Sequence, residues 1–383
     1  MKRIKTISLF VVMTMMLALL SACSNVSYIA TIDTEKMPVG PYAFYAYYTR
    51  DNYQSNLSYY GVTDFAAALT EQADSTGTKL YSYIMQETKA SYIQHIITER
   101  KFKEYGLSLT EDQQAELDES FQTSWIDSNG IEKYTEICKT LGLTSAEFKE
   151  VISISYKNTQ LMEYLFGEGG IYEITEDELR NKYSEGYERF RYIALSKVDE
   201  TGATLSTDEL ITKKNLVDEA YQKALDGEDF GALIAQYSED YLEITDELTD
   251  DEKTFYEASN KQASEDGLVI DKNGIFNYEY YAYYNYFIDS NIVNAVFSMN
   301  IGDVKVIELA NAFWVIQKCD KNEKEDYFES KRSLIYNEIA TPIIEELYTE
   351  WENELLITFN ESAVNKYDPR KLDPLFITEN TAK

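Results

Sequence analysis

The chain has 383 residues, with 67 acidic against 35 basic side chains and a formal net charge of −32 at neutral pH. A surface this acidic repels phosphate backbones and anionic lipid headgroups, which excludes nucleic-acid binding and membrane attachment through a basic patch. Apolar residues make up 44% of the chain, enough for real cores, while three cysteines are too few for a disulfide framework.

The length is that of two to three domains. Lys2, Arg3 and Lys5 precede an apolar run from Ile7 to Leu20, and small residues follow it. That order is a secretory signal peptide, and the run is too short for a comfortable membrane span. Leu20-Ser21-Ala22-Cys23 resembles the lipobox of bacterial lipoproteins. The resemblance implies cleavage after residue 22, a lipid on Cys23, and a protein held on the extracytoplasmic side of the cell membrane. No later segment approaches the length of a membrane helix. Cys138 and Cys319 read as packing residues.

Ser24 to Ser27 read as a tether, and Tyr28–Ile32 as a short strand. Helices follow from Pro41, which suits a first helical turn, to about Tyr187. One runs from about Thr78 to Tyr105, with Leu80, Ile84, Tyr92, Ile93, Ile96 and Ile97 at helical spacing and Gly106 as its stop. His95, the single histidine, falls on that apolar face and reads as a packing residue. Thr110-x-x-Gln113, Thr144-x-x-Glu147 and Thr175-x-x-Glu178 predict capping boxes.

The pattern changes after Arg189. Phe190–Lys197 reads as a strand and Val198–Ser206 as a polar linker. Helices are predicted from about Asp208 to Leu225 and from about Asp229 to Ser238. The acidic stretch Glu239–Asp266 has little periodicity and reads as an insertion loop. Leu268–Ile270 and Gly274–Phe276 bracket a turn, a tyrosine-rich run follows, and Ile292–Met299 reads as a short helix. Val304–Leu309 and Phe313–Lys318 close the unit as a hairpin. This order predicts an α+β unit around one small antiparallel sheet. The last segment, about Asp326 to Thr358, reads as one long amphipathic helix kinked at Pro342. Its apolar face requires a surface, and the N-terminal helices are the expected partner.

The middle unit resembles a parvulin-type peptidyl-prolyl isomerase domain. The resemblance lies in Arg191-Tyr192-Ile193-Ala194-Leu195, Glu219–Leu225, Gly227–Phe230, Ala235–Asp240, Asn273-Gly274-Ile275-Phe276, Ile292–Phe297, Asn300–Val304 and Phe313–Lys318, in that order. With the lipobox and the helical flanks, the layout resembles the PrsA/SurA type of extracytoplasmic foldase. That implies a signal peptide over 1–22, a helical chaperone-like domain over 23–187, a parvulin-like domain over 188–320, and a C-terminal helix over 321–383 returning to the first domain. It also implies unfolded or partly folded secreted proteins as partners.

The family usually carries one histidine on the first strand and one on the last; Tyr192 and Trp314 stand there instead. The family's Cys-or-Asp position matches Asp240. The apolar pocket positions match Phe276, Ile288 and Ile292, with Asn273 where Leu is usual, and Asp289 and Leu309 fall at two polar positions. Asp240 and Tyr192 are thus the candidate catalytic residues, and Phe276, Ile288, Ile292 and Trp314 the candidate substrate-binding residues. Rotation about an X–Pro bond crosses a barrier of about 18–20 kcal/mol without making a bond, so no nucleophile, metal or other cofactor is needed. Loss of both histidines predicts isomerase activity that is weak or absent. A non-enzymatic peptide- or solute-binding lipoprotein is the alternative, although solute-binding proteins normally alternate strands and helices in two lobes. The run Tyr278–Phe287 offers amphipathic contact surface of the kind that suits a client-binding rim. Asp127–Gly130 and Asp271–Gly274 lack the later ligands of calcium loops and read as turns.

Overall fold

A computed structural model describes residues 28–276 and 286–377. Residues 1–27, with the predicted leader and Cys23, the tyrosines within 277–285 and residues 378–383 lie outside the described residues. The architecture is α+β, with most of the chain in helices and small antiparallel sheets. The chain separates into two compact units, one made of residues up to Glu173 together with those from Thr341 onward, the other of Ile174–Ala340. Among the described residues no helix is long and apolar enough to cross a membrane.

In the first unit, Ala30–Ile32 is the central strand of three, with Glu35–Met37 on one side and Ile357–Phe359 on the other, both antiparallel. The helices Val39–Tyr59 and Leu80–Glu104 pack through Tyr42 and Tyr92, whose rings meet edge to face at 5.4 Å. Ile29, Ile32, Tyr42, Ile96 and Val364 share that core. A second core gathers Phe44, Phe121, Tyr134, Leu141 and Phe148. The capping boxes at Thr110, Thr144 and Thr175 all form, the last at the start of the second unit.

His95 is buried, with Nδ1 3.1 Å from the Tyr45 hydroxyl. Burial, assisted by the Lys157 ammonium, pushes its pKa down to about 4. Lys157 is itself held by Glu99 at 2.6 Å and by Glu150. Because the folded value lies below the unfolded one, the unfolded chain binds more protons between about pH 4 and 6.5. The contribution is complete above about pH 6.5 and is lost as pH falls towards 4, for a total of about 3 kcal/mol. Urea midpoints of the first unit should therefore fall more steeply through this window than those of a His95→Phe variant. Parallel curves for the two proteins would refute the assignment.

The second unit is built on a four-stranded antiparallel sheet in the order Leu268–Asp271, Tyr187–Ser196, Ala312–Cys319, Val304–Glu308. Side chains alternate along the strand Tyr187–Ser196 as its pleat requires. Ile193 and Leu195 face the helices Thr207–Leu225 and Phe230–Tyr237, while Phe190, Tyr192 and Ala194 face the helix Ser290–Ser298. The helix Glu176–Gly186 belongs to this unit too, packing Leu179 and Tyr183 on Tyr187, Val269 and Phe328. Cys138 and Cys319 are buried free thiols.

Two predicted segments differ. The stretch 239–266 is not all loop: Asp250–Lys261 is a helix opened by a capping box between Thr249 and Glu252 and followed by a π turn over Gln262–Asp266. Its periodicity is weak because Asn260 is its one buried residue, and that residue is polar. Asn260 clamps the preceding loop, accepting from the Leu242 amide at 2.8 Å and donating to the Leu242 carbonyl at 2.7 Å. The C-terminal segment is also not one helix. It forms Glu325–Glu329 and Arg332–Asn353, the latter continuous through Pro342, and then the strand Ile357–Phe359. The strand forms because Ala30–Ile32 offers it an unpaired edge.

Candidate functional site

The sheet face that meets Ser290–Ser298 collects most of the candidate residues. Tyr192 and Trp314 come from neighbouring strands in which Ala194 is paired with Trp314 and Tyr192 with Ile316. They are therefore diagonal neighbours on one face, within reach of aromatic side chains. Their rings stack with centroids 4.4 Å apart and planes 27° apart. Ile292 is fully buried in the same cluster, and Ile288 and Leu309 pack against it. The helix carrying Ile292 is capped by Asp289, whose carboxylate accepts from the Asn291 amide at 2.8 Å.

Asp240 is brought to Tyr192 by backbone pairing. Leu268–Asp271 pairs only with Tyr187–Phe190, so the far end of that strand has free backbone groups on this side. The segment after the helix Phe230–Tyr237 fills them: the Glu239 amide donates to the Ala194 carbonyl at 3.0 Å, and the Ala194 amide donates to Ser238 Oγ at 3.1 Å. Asp240 then hydrogen-bonds the Tyr192 side chain. The residue as a whole is exposed, yet its carboxyl is crowded by protein. Desolvation raises its pKa above the ordinary carboxylate value, and the Tyr192 hydrogen bond pulls the other way.

The turn before the slot is fastened to its helix. Asp271 accepts from the amides of Asn273 at 3.0 Å and Ile275 at 2.7 Å, folding the chain back. Gly274 has φ of +76°, and a Cβ there would lie 2.7 Å from the Ile288 carbonyl oxygen and 2.8 Å from Val293 Cγ2. Only glycine fits both the left-handed backbone and the close approach. The Gly274 carbonyl accepts from the Ile288 amide at 2.9 Å, tying the turn to the slot. Asn273 is exposed, at the position where the family's pocket has Leu. Phe276 lies on the strand Ile275–Phe276, but its side chain lies outside the described residues, as do those of the tyrosine run up to Tyr286. Phe287 is exposed.

Sequence reasoning missed two buried cations, Lys318 on this face and Arg189 on the opposite face of the same sheet. Lys318 donates to the Val296 carbonyl at 2.7 Å, near the C-terminus of the slot helix, and pairs with Glu188 at 2.7 Å. A cation there satisfies an end carbonyl and complements the helix dipole. Arg189 holds the carbonyls of Glu265, Asp266 and Asp320. Neither signal was legible, because nothing in a strand pattern marks a charged residue as buried.

The arrangement is a packed apolar cluster beside an aromatic stack, with one carboxyl of raised pKa. It contains no histidine, since the chain's single one, His95, belongs to the other unit. Separately, in the first unit, a groove of about 430 Å³ is lined by Ile93, Ile97, Met162, Ile344 and Tyr348 among others.

No protein-family model matches the sequence, and no curated protein does. Among solved structures the chain is similar to several PrsA proteins, three of which follow. They are the foldase protein PrsA from Streptococcus pneumoniae (14% identity, 79% of this chain and 100% of that chain, TM-score 0.32), PrsA from Bacillus subtilis (15%, 79% and 91%, 0.22), and the foldase protein PrsA from Lactococcus lactis (13%, 89% and 97%, 0.30).

Proposed function

We propose that this chain is a membrane-anchored extracytoplasmic foldase or chaperone for secreted proteins, whose isomerase-like unit has weak or no activity. The observation that carries this is the Tyr192–Trp314 stack at 4.4 Å, standing at both positions where the parvulin pattern has histidine. The apolar cluster around it includes Ile288 and Ile292, and Asp240 hydrogen-bonds Tyr192, which supports the reading. Tyr192 and Asp240 are the polar groups left to contact a twisting amide. Ile288, Ile292, Phe276 and Trp314 form the proline slot. Binding of peptides here is weak, since the apolar slot offers few polar contacts to fix an extended backbone.

The division of labour follows from the layout. The helical unit, residues up to Glu173 with those from Thr341 onward, handles unfolded clients on apolar surface. The inserted unit, Ile174–Ala340, supplies the isomerase-like site. The lipid sits on Cys23, and the acidic body keeps the protein soluble beside the membrane.

The test uses the full mature chain. Prolyl-peptide isomerisation should stay at or near the uncatalysed rate, while aggregation of an unfolded secreted client should slow at near-stoichiometric ratios. Whatever isomerase activity is present should fall on Asp240→Ala. Strong activity that survives Asp240→Ala would overturn the assigned site. No effect on aggregation would overturn the chaperone reading in favour of a solute-binding lipoprotein. Mass analysis of the mature N-terminus should find a diacylglyceryl-modified Cys23; an unmodified Cys23, or a cut elsewhere, refutes the anchor.

A further inference from the structure

In the helical unit, the buried carboxylate of Asp51 is used in an unusual way. Its Oδ1 pairs with the Arg50 guanidinium at 2.6 Å. Its Oδ2 accepts from two successive backbone amides near the end of the chain, Leu375 at 2.8 Å and Phe376 at 2.7 Å. Asp51 is only 3% exposed. Beside it is an aromatic cleft. The Phe376 ring lies 5.7 Å from Phe44, 5.6 Å from Trp125 and 6.4 Å from Tyr48. Leu375 goes deeper, into the cluster with Phe44 and Phe148. Tyr48 is exposed, so the cleft opens to solvent.

The segment 372–377 is thus seated as a bound peptide would be. Two side chains fill an aromatic cleft, and one buried carboxylate reads two main-chain donors. Among the described residues, its backbone makes no other hydrogen bond. A segment held by so few backbone hydrogen bonds opens locally at far lower cost than the helices beneath it.

We propose that this cleft is a peptide-binding site for short segments in which an aliphatic residue precedes an aromatic one, and that Pro374-Leu375-Phe376 occupies it in cis as a displaceable stand-in. The ligand chemistry is read from the occupant: an aliphatic side chain for the deep pocket, an aromatic ring for the Phe44–Tyr48–Trp125 wall, and two adjacent amides for Asp51. Unfolded chains expose such pairs and folded ones bury them. The inference deepens the client-handling half of the proposed function and rests on that reading for its biological sense.

A tethered segment competes at an effective concentration of order mM, so against a free peptide binding at about 10 μM it weakens apparent affinity about 100-fold. The probe is a fluorescein-labelled peptide of the sequence Lys371–Glu379. The proteins are the full mature chain and a Leu375→Ser/Phe376→Ser variant of it. Anisotropy should show binding to the variant at least about 30-fold tighter than to the parent. Adding Asp51→Asn should weaken that binding by about 10-fold, the loss expected for a charge-assisted pair of hydrogen bonds. A scrambled peptide should not bind. A folded variant that ignores the peptide overturns the proposal. So does a variant that fails to fold, since the segment would then be part of the core and not a displaceable occupant. In the parent chain, the Leu375 and Phe376 amides should exchange with solvent at least about 100-fold faster than those in the middle of Val39–Tyr59, as local opening requires; equal protection also refutes the idea. If the chain fails to slow client aggregation but the variant binds the peptide, the foldase reading falls and this site stands. If aggregation is slowed and the peptide does not bind, only this site falls.

Discussion

Replacing Arg189 with methionine should destabilise the second unit by about 3–4 kcal/mol, the range for breaking a buried network built on one cation. Arg189 is 2% exposed and sits at the edge where three segments meet. Its guanidinium donates to the Asp320 carbonyl at 2.8 Å, the Glu265 carbonyl at 2.9 Å and the Asp266 carbonyl, and pairs with Glu323 at 2.6 Å. The plane also lies over the Tyr327 ring, 4.1 Å from its centroid. Glu323 is largely exposed, so the ion pair itself contributes little. The cost comes from the carbonyls, which lose their donor inside the fold. Arg189→Lys should recover less than half of the loss, because an ammonium cannot present a planar fork to several acceptors. Urea unfolding of the full chain, followed by signals from the second unit, gives the number. A loss under about 1 kcal/mol would show that water replaces the guanidinium and would refute the network's role.

Phe148→Ala should cost the first unit about 3–5 kcal/mol, the range for truncating a buried phenylalanine. Phe148 is wholly buried. Its ring lies 4.8 Å from Trp125, 5.7 Å from Phe44, 5.9 Å from Phe121 and 6.0 Å from Tyr134. Aromatic pairs in such arrangements add about 0.5–1.5 kcal/mol each beyond area burial, so the site lies towards the upper end. Four rigid rings cannot collapse into the void, and the cavity term persists. Phe148→Leu keeps most of the volume and should cost less than half as much. Denaturant midpoints of both variants decide it. Equal losses would mean that ring stacking, and not filled volume, sets the stability of this core.

The elements that depend on neighbours in sequence were legible. Thr110, Thr144 and Thr175 each lie three residues before a Gln or Glu, and each makes its capping box. The same spacing at Ser206–Glu209 and Thr249–Glu252 makes two more. The second of these opens the helix in the stretch predicted as loop. It went unread because acidic residues stabilise a helix start through the dipole while leaving no apolar stripe to count. Phe190–Lys197 read as a strand, and in the structure its pleat puts Tyr192 on one face and Ile193 on the other.

Proximity in sequence decided helix starts and strand positions, because caps and pleats act over a few residues. Tertiary structure decided the rest. The strand Ile357–Phe359 exists because Ala30–Ile32 offers it an edge, and no window of sequence around residue 357 contains that edge. Arg189 and Lys318 are buried because carbonyls from distant segments converge on them. Asp240 meets Tyr192 because a short neighbouring strand leaves backbone groups for Ser238 and Glu239 to fill. Asp51, one polar residue on an aromatic helix, becomes a receptor for the chain's own end only once residues 375 and 376 arrive beside it. Each of these depends on long-range partners, whose hydrogen bonds form only after the chain has already met the entropy cost of closing large loops.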